Sequence, residues 1–243
     1  MTDFKQLLTA FERFAYGQSL HSAFVELLDW ALLPFRKWDD AESQKIAFQK
    51  YQSHPKIKNL TILITLIGDL SEGFNDPLGE LFMQAISNGH NGQYFTPTPI
   101  CDMLAIMNLG NDTKPGQSVC DCACGSGRTL LAAAKINRYL KLYGADLDNT
   151  CCKMALLNML LHSLTGEIAH MNSLSNDFYT GYEVNITLVN GYYYPYYIEF
   201  TEPEQSNIWL HDPMSTEFKS VFTTPFEPVR PAQPINGVQG SLF

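Results

Sequence analysis

The stretch Val119 to Leu131, VCDCACGSGRTLL, limits what this chain can fold into more than any other segment. A short apolar run breaks into Gly125-Ser126-Gly127, and helix-forming residues follow at once. Glycines at such a break let the backbone turn tightly after a strand and approach a ligand closely. A helix opening near Arg128 would present its positive N-terminal end to that ligand. The order strand, glycine turn, helix predicts an α/β architecture with a cofactor at the turn, although Gly-x-Gly alone also suits a plain strand-to-helix connection.

The cysteines in the same stretch raise a metal as the competing reading. Cys120, Cys122 and Cys124 alternate, so a strand would place their side chains on one face, but closed zinc sites pair cysteines two to four residues apart with a matching second pair. Cys151, Cys152 or a histidine would have to complete the site in space, and no metal is assigned. The six cysteines are bunched rather than spread as a disulfide framework, which predicts reduced thiols and a cytoplasmic setting. No apolar run reaches membrane-spanning length, the start of the chain lacks a basic-then-apolar leader pattern, and no membrane partner is expected. A net charge of -9, with no Lys or Arg between Lys153 and Lys219, argues against a free-standing nucleic-acid binder.

Residues 1–90 read as a helical N-terminal domain. Phe4, Leu7, Leu8, Phe11 and Phe14 recur at helical spacing, SAFVELLDWALL continues the pattern up to Pro34, and AESQKIAFQKYQ adds a third helix, while NLTILITLIGDL suits a helix or a buried strand and its helical neighbours favour helix. Asp76 and Pro77 form an N-cap and first-turn proline before LGELFMQAI. Residues 91–222 change texture: QSVCDCA, LYGADL, EIAHMN and EVNITLVN alternate with helical patterns from Arg128 and Thr150, which predicts a parallel sheet with right-handed crossovers. Residues 223–243, rich in Pro, Gln and Gly, read as a flexible tail. Asp146, at the end of the strand that follows the glycine turn, stands where an acidic side chain accepts hydrogen bonds from ribose hydroxyls.

Together DPLGELFMQAI, GQYFTPTPICDML, DCACGSGRTLLAA and YGADLDNTCCKMALLNMLLHS resemble the N-6 adenine DNA methyltransferases of type I restriction-modification systems, the modification-subunit family. The resemblance runs from about Asp76 to Asn190 with the motifs in the family's order. It implies a Rossmann-like S-adenosylmethionine-dependent methyltransferase fold, with a parallel-rich sheet flanked by helices behind a helical N-terminal domain. It further implies that Phe95 and Thr96 line the methionine end of the cofactor. Asp121, Cys124, Gly125, Ser126 and Gly127 would form the glycine turn, and Asp146 would hold the ribose. Asn172 stands where the family commonly carries an acidic residue for the adenine amino group of the cofactor.

The same resemblance places the adenine-holding residues at Asn190 and Tyr193, within ITLVNGYYYPYY. Gly191 and Tyr192 replace both prolines of the family's Asn-Pro-Pro-aromatic motif. In the implied reaction the adenine amino nitrogen attacks the sulfonium methyl directly, Asn190 orients that nitrogen and Tyr193 stacks on a flipped base. The expected function is methylation of adenine N6 in DNA, with DNA recognition supplied by a specificity subunit or other protein partner. Two alternatives stand beside it: a regulatory or interaction protein that binds S-adenosylmethionine with impaired catalysis, and a methyltransferase acting on RNA or a small planar substrate. The tyrosines 192, 193, 194, 196 and 197 also suit a packed aromatic strand. Gln239, Leu242 and Phe243, in the terminal QGSLF, resemble a peptide that docks on the bacterial sliding clamp.

Overall fold

The computed structural model describes residues 3–87, 94–110 and 113–210. The tail from 211 onward, including the clamp-like Gln239, Leu242 and Phe243, lies outside the described residues.

Four helices open the chain: α1 (Phe4–Phe14), α2 (Leu20–Leu32), α3 (Ala41–Gln52) and α4 (Ile57–Ser71). Side-chain N-caps start the first three, from Asp3, Ser19 and Asp40. The stripe that spacing picks out on α1 includes Leu7, Phe11 and Phe14, which are fully buried, as are Leu60, Leu63 and Ile67 on α4. Asp76 caps the short α5 (Pro77–Phe82) by accepting from the Gly79 N–H at 2.8 Å, and α6 (Thr98–Leu109) follows.

The sheet holds five strands in sequential order: β1 (Ser118–Asp121), β2 (Lys141–Asp146), β3 (Thr165–Asn172), β4 (Asp177–Val189) and β5 (Tyr192–Phe200). α7 (Arg128–Ile136) and α8 (Asn149–Leu161) are the crossovers, and β1, β2 and β3 run parallel. This βαβαβ unit is one half of a Rossmann-like doubly wound fold. α8 is buried along nearly its whole length, from Thr150 to Leu160 apart from Lys153, because sheet and N-terminal helices cover it from both sides. That explains its lack of a polar face.

The second half of the sheet departs from the parallel expectation. β4 lies antiparallel to β3, and β5 antiparallel to β4. Residues 173–176 are the whole connection between β3 and β4, whereas a parallel return needs a crossover of a dozen residues or more. The strand seen in EVNITLVN in fact begins at Asp177, leaving no room for a helix.

No break in the core separates the N-terminal helices from the sheet. One cluster of buried side chains runs from Leu7, Phe24 and Leu60 through Leu81 to Leu130, Leu156, Ile168 and Val184. Among the described residues, no helix is long and apolar enough to cross a membrane.

Candidate cofactor site

The chain leaves β1 at Asp121 and turns twice through left-handed backbone, at Gly125 (φ 55°) and Gly127 (φ 85°), before α7 begins. A Cβ at Gly125 would stand 2.9 Å from the Phe95 ring, and one at Gly127 would stand 3.2 Å from Ala155, so both positions need glycine for space as well as for conformation. Asp121 organises the loop from below: one carboxylate oxygen accepts from the Ala123 N–H at 3.0 Å and the other from the Thr129 hydroxyl. Asp146, at the end of β2, accepts from the Gly125 N–H at 2.8 Å and from the Asp148 N–H at 2.9 Å. It remains partly exposed, and a carboxylate has lone pairs left for a ribose after two such bonds.

A buried network that sequence reading missed clamps this turn from the N-terminal side. Asp76 is 9% exposed; besides capping α5 it accepts from Ser126 Oγ at 2.5 Å, Arg128 Nε at 2.7 Å and Asn158 Nδ2 at 2.8 Å. Asn158 also donates to the Ser126 carbonyl at 2.9 Å, and Arg128 reaches Glu80 at 3.4 Å. One side chain thus ties α5, the glycine turn, α7 and α8 together. The capping role of Asp76 was legible in the sequence, but its other partners lie about 50 and 80 residues away. The available signal was Asn158, a lone amide inside the apolar run MALLNMLL.

Phe95 packs against the glycine turn. Its ring covers Gly125, stacks on Phe82 at 5.7 Å and carries the Arg128 guanidinium at 5.8 Å. Thr96 is exposed beside it, and both line the hollow at the turn together with Asp121, Cys124, Gly125 and Ser126. The donor set fits S-adenosylmethionine: an acidic side chain for the ribose, a glycine turn at a helix start and an aromatic wall. The hollow itself is about 60 Å³, far below the roughly 300 Å³ at which small-molecule sites begin.

Asn172 lies near the turn, since the neighbouring Ser173 hydroxyl donates to the Cys122 carbonyl at 2.8 Å. Its side-chain oxygen is already committed to its own turn, accepting from Leu174 N at 3.1 Å and Ser175 N at 3.3 Å. Those two bonds brace the β3–β4 connection.

Asn190 and Tyr193 are not brought to the cofactor turn. Asn190 (φ 52°) and Gly191 (φ 82°) make the two-residue turn of the β4–β5 hairpin, the conformation that Asn-Gly favours. Asp121, Gly144, Ile168 and Tyr182 stand level across the sheet, and β4 runs from there away from the glycine turn. With ~3.3 Å per residue along β4 and ~4.8 Å between strands, Asn190 lies about 30 Å from Asp121. Asn190 is exposed, and Tyr193 is 52% exposed opposite Leu188.

The cysteines do not share a face. β1 ends at Asp121, so the alternation stops before Cys124, which turns inward and is 6% exposed while Cys120 and Cys122 are exposed. Burial, reinforced by nearby carboxylates, raises the thiol pKa of Cys124, Cys151 and Cys152, so these are packing groups. His162, at the end of α8, stacks on Phe74 at 4.8 Å, and burial lowers its pKa. Among the described residues, no three His, Cys, Asp or Glu side chains gather in a metal-binding group.

Residues 75–216 match the sequence profile of the N-6 DNA Methylase family. The chain belongs to that family. Over 127 residues it is 30% identical to a ribosomal protein L11 methyltransferase of Halalkalibacterium halodurans, an alignment covering 52% of this chain and 38% of that protein. A Listeria monocytogenes structure described as a class I S-adenosylmethionine-dependent methyltransferase shares 17% identity at a TM-score of 0.42, covering 68% of this chain and 52% of its own. The methyltransferase subunit of a type I restriction-modification system from Streptococcus thermophilus shares 18% identity at 0.33, covering 66% and 37%. The chain spans between about a third and a half of the length of each of these proteins.

Proposed function

We propose that the chain binds S-adenosylmethionine at the glycine turn and methylates adenine N6 in DNA only with a partner that supplies the base-holding groups. The observation behind this reading is a braced cofactor turn beside an open β1 edge. In doubly wound sheets the ligand lies in the crevice where strand order reverses, between the first strand and the strand on its far side. Among the described residues β1 has β2 on one side and no strand on the other. On this reading the turn, Asp146 and Phe95 form one wall of a crevice, and a partner supplies the second wall.

Bound S-adenosylmethionine supplies an electrophilic methyl on its sulfonium sulfur. In this chain Asp146 would hold the ribose, the turn and the start of α7 would seat the rest of the molecule, and Phe95 would close over it. Adenine attack needs the amino nitrogen fixed in line with that methyl. Asn190 and Tyr193, about 30 Å away by strand geometry, cannot do this. The acidic balance of the chain fits DNA delivered by a partner.

A labelled-methyl assay tests the reading, with the chain alone and with cell extract, offering DNA and RNA in parallel. The expected result is cofactor binding by the chain alone, transfer to DNA adenine only with extract, and unchanged transfer by Asn190→Ala. Transfer by the chain alone that disappears in Asn190→Ala would overturn it. The remoteness of Asn190 also favours a second reading, a cofactor-binding regulatory protein; binding without transfer under every condition would select that one, and transfer to RNA alone would reassign the substrate.

A further inference from the structure

A cleft of about 670 Å³, far roomier than the hollow at the glycine turn, lies between α2 and α3 on one side and α8, β4 and β5 on the other. That volume lies within the range of small-molecule sites, roughly 300–1,000 Å³. Its floor is apolar and aromatic, with Val25, Leu32, Trp30, Tyr182 and Tyr197. The two tyrosines meet edge to face at 5.9 Å.

Tyr197 is only 5% exposed, and its side chain lines the cleft. The Tyr182 hydroxyl has a single long contact, 3.4 Å to Asn149 Oδ1. Both phenols line the cleft, where a hydroxyl can donate to a ligand that displaces water. Burial raises the pKa of each, with Arg36 opposing it at Tyr197, so both are neutral and able to donate.

The rim carries both signs of charge, mostly in pairs. Arg36 meets Glu199 at 2.6 Å, Lys153 meets Asp29 at 2.5 Å and His54 meets Glu26 at 3.0 Å. Every rim carboxylate thus has a basic partner, while among the described residues Lys50 is in none of these pairs. A cationic ligand finds each carboxylate already paired, and an anionic one finds the Lys50 ammonium.

We propose that this cleft is a second ligand site, for a planar ring carrying an anionic group. The ring lies on the tyrosine floor and accepts from the Tyr197 hydroxyl, and the anion faces Lys50. A nucleoside monophosphate and an aromatic carboxylate share this chemistry. The site is independent of the cofactor reading, since none of its lining residues touches the glycine turn.

The test is calorimetry on the full chain with adenosine monophosphate and, separately, indole-3-acetate. At least one probe binds one to one, and the stronger of the two identifies the source. Tyr197→Phe, which keeps the ring packing, weakens binding about tenfold, and Lys50→Ala weakens it about threefold. Asp146→Ala, which removes the ribose acceptor at the glycine turn, leaves it unchanged. The proposal is overturned if neither probe binds at millimolar concentration or if binding survives both substitutions. Loss of binding in Asp146→Ala overturns it too, by placing the probe at the cofactor turn.

Discussion

Two turns at opposite ends of one sheet each pass through positive φ at two residues. Gly125 and Gly127 have φ of 55° and 85°, Asn190 and Gly191 of 52° and 82°. Their surroundings differ. The first pair is held by Asp146 and, through Ser126, by Asp76 and Asn158, under the Phe95 ring. The second is exposed at the tip of a hairpin, between Leu188 at 63% and Tyr192 at 70% exposure. Backbone shape alone therefore says little about chemistry. A turn becomes a site when buried donors and acceptors fix it, and when its strand lies beside the others that build the crevice.

Substitutions at the two ends should behave differently, and the largest effect belongs to the braced end. Asp76→Ala leaves Arg128 without its closest carboxylate and strips Ser126 and Asn158 of their acceptor. Breaking a buried pair of this kind costs about 3–5 kcal/mol, so a drop of that size in chemical-denaturation stability is expected. A loss under 1 kcal/mol would mean the clamp is not formed. Asp146→Ala should weaken S-adenosylmethionine binding about a hundredfold in calorimetry, as two charge-assisted ribose bonds are lost; an unchanged affinity would remove the assigned pocket.

Gly125→Ala forces a side chain into left-handed backbone and against Phe95, and should cost about 1–2 kcal/mol in stability along with weaker cofactor binding. Asn190→Ala is the control from the other end. It meets the same backbone penalty at most, and because the position is exposed and remote its cofactor affinity should stay within twofold of wild type. An equal loss of affinity in Gly125→Ala and Asn190→Ala would erase the contrast between the turns.

The local elements were legible because their causes are local. The apolar spacing of α1, the Asp76 cap, the glycine turn and the acidic end of β2 all show in short windows of sequence. The direction of β4 was not, because it depends on where the strand begins: with Asp177 inside it, the connection from β3 shrinks to 173–176 and only a hairpin is possible. That error carried over to the site. NGYY after a hydrophobic strand looks like an adenine-holding motif, and it would act as one only if its strand lay alongside β1. The Asp76 clamp was hidden for the opposite reason, since its partners are far apart in the chain and only folding brings them together. The place of Tyr197 in the cleft likewise carries no sequence signal beyond a run of tyrosines.

The account rests on the cofactor turn and the Asn190 hairpin being at opposite ends of the sheet. Hydrogen exchange followed by mass spectrometry, with and without S-adenosylmethionine, tests that most directly. The expected result is slowed exchange in peptides covering residues 121–131 and 143–148, and no change across 185–196. Slowed exchange at 187–193 on cofactor addition, without partner or DNA, would place Asn190 in the cofactor site and contradict it.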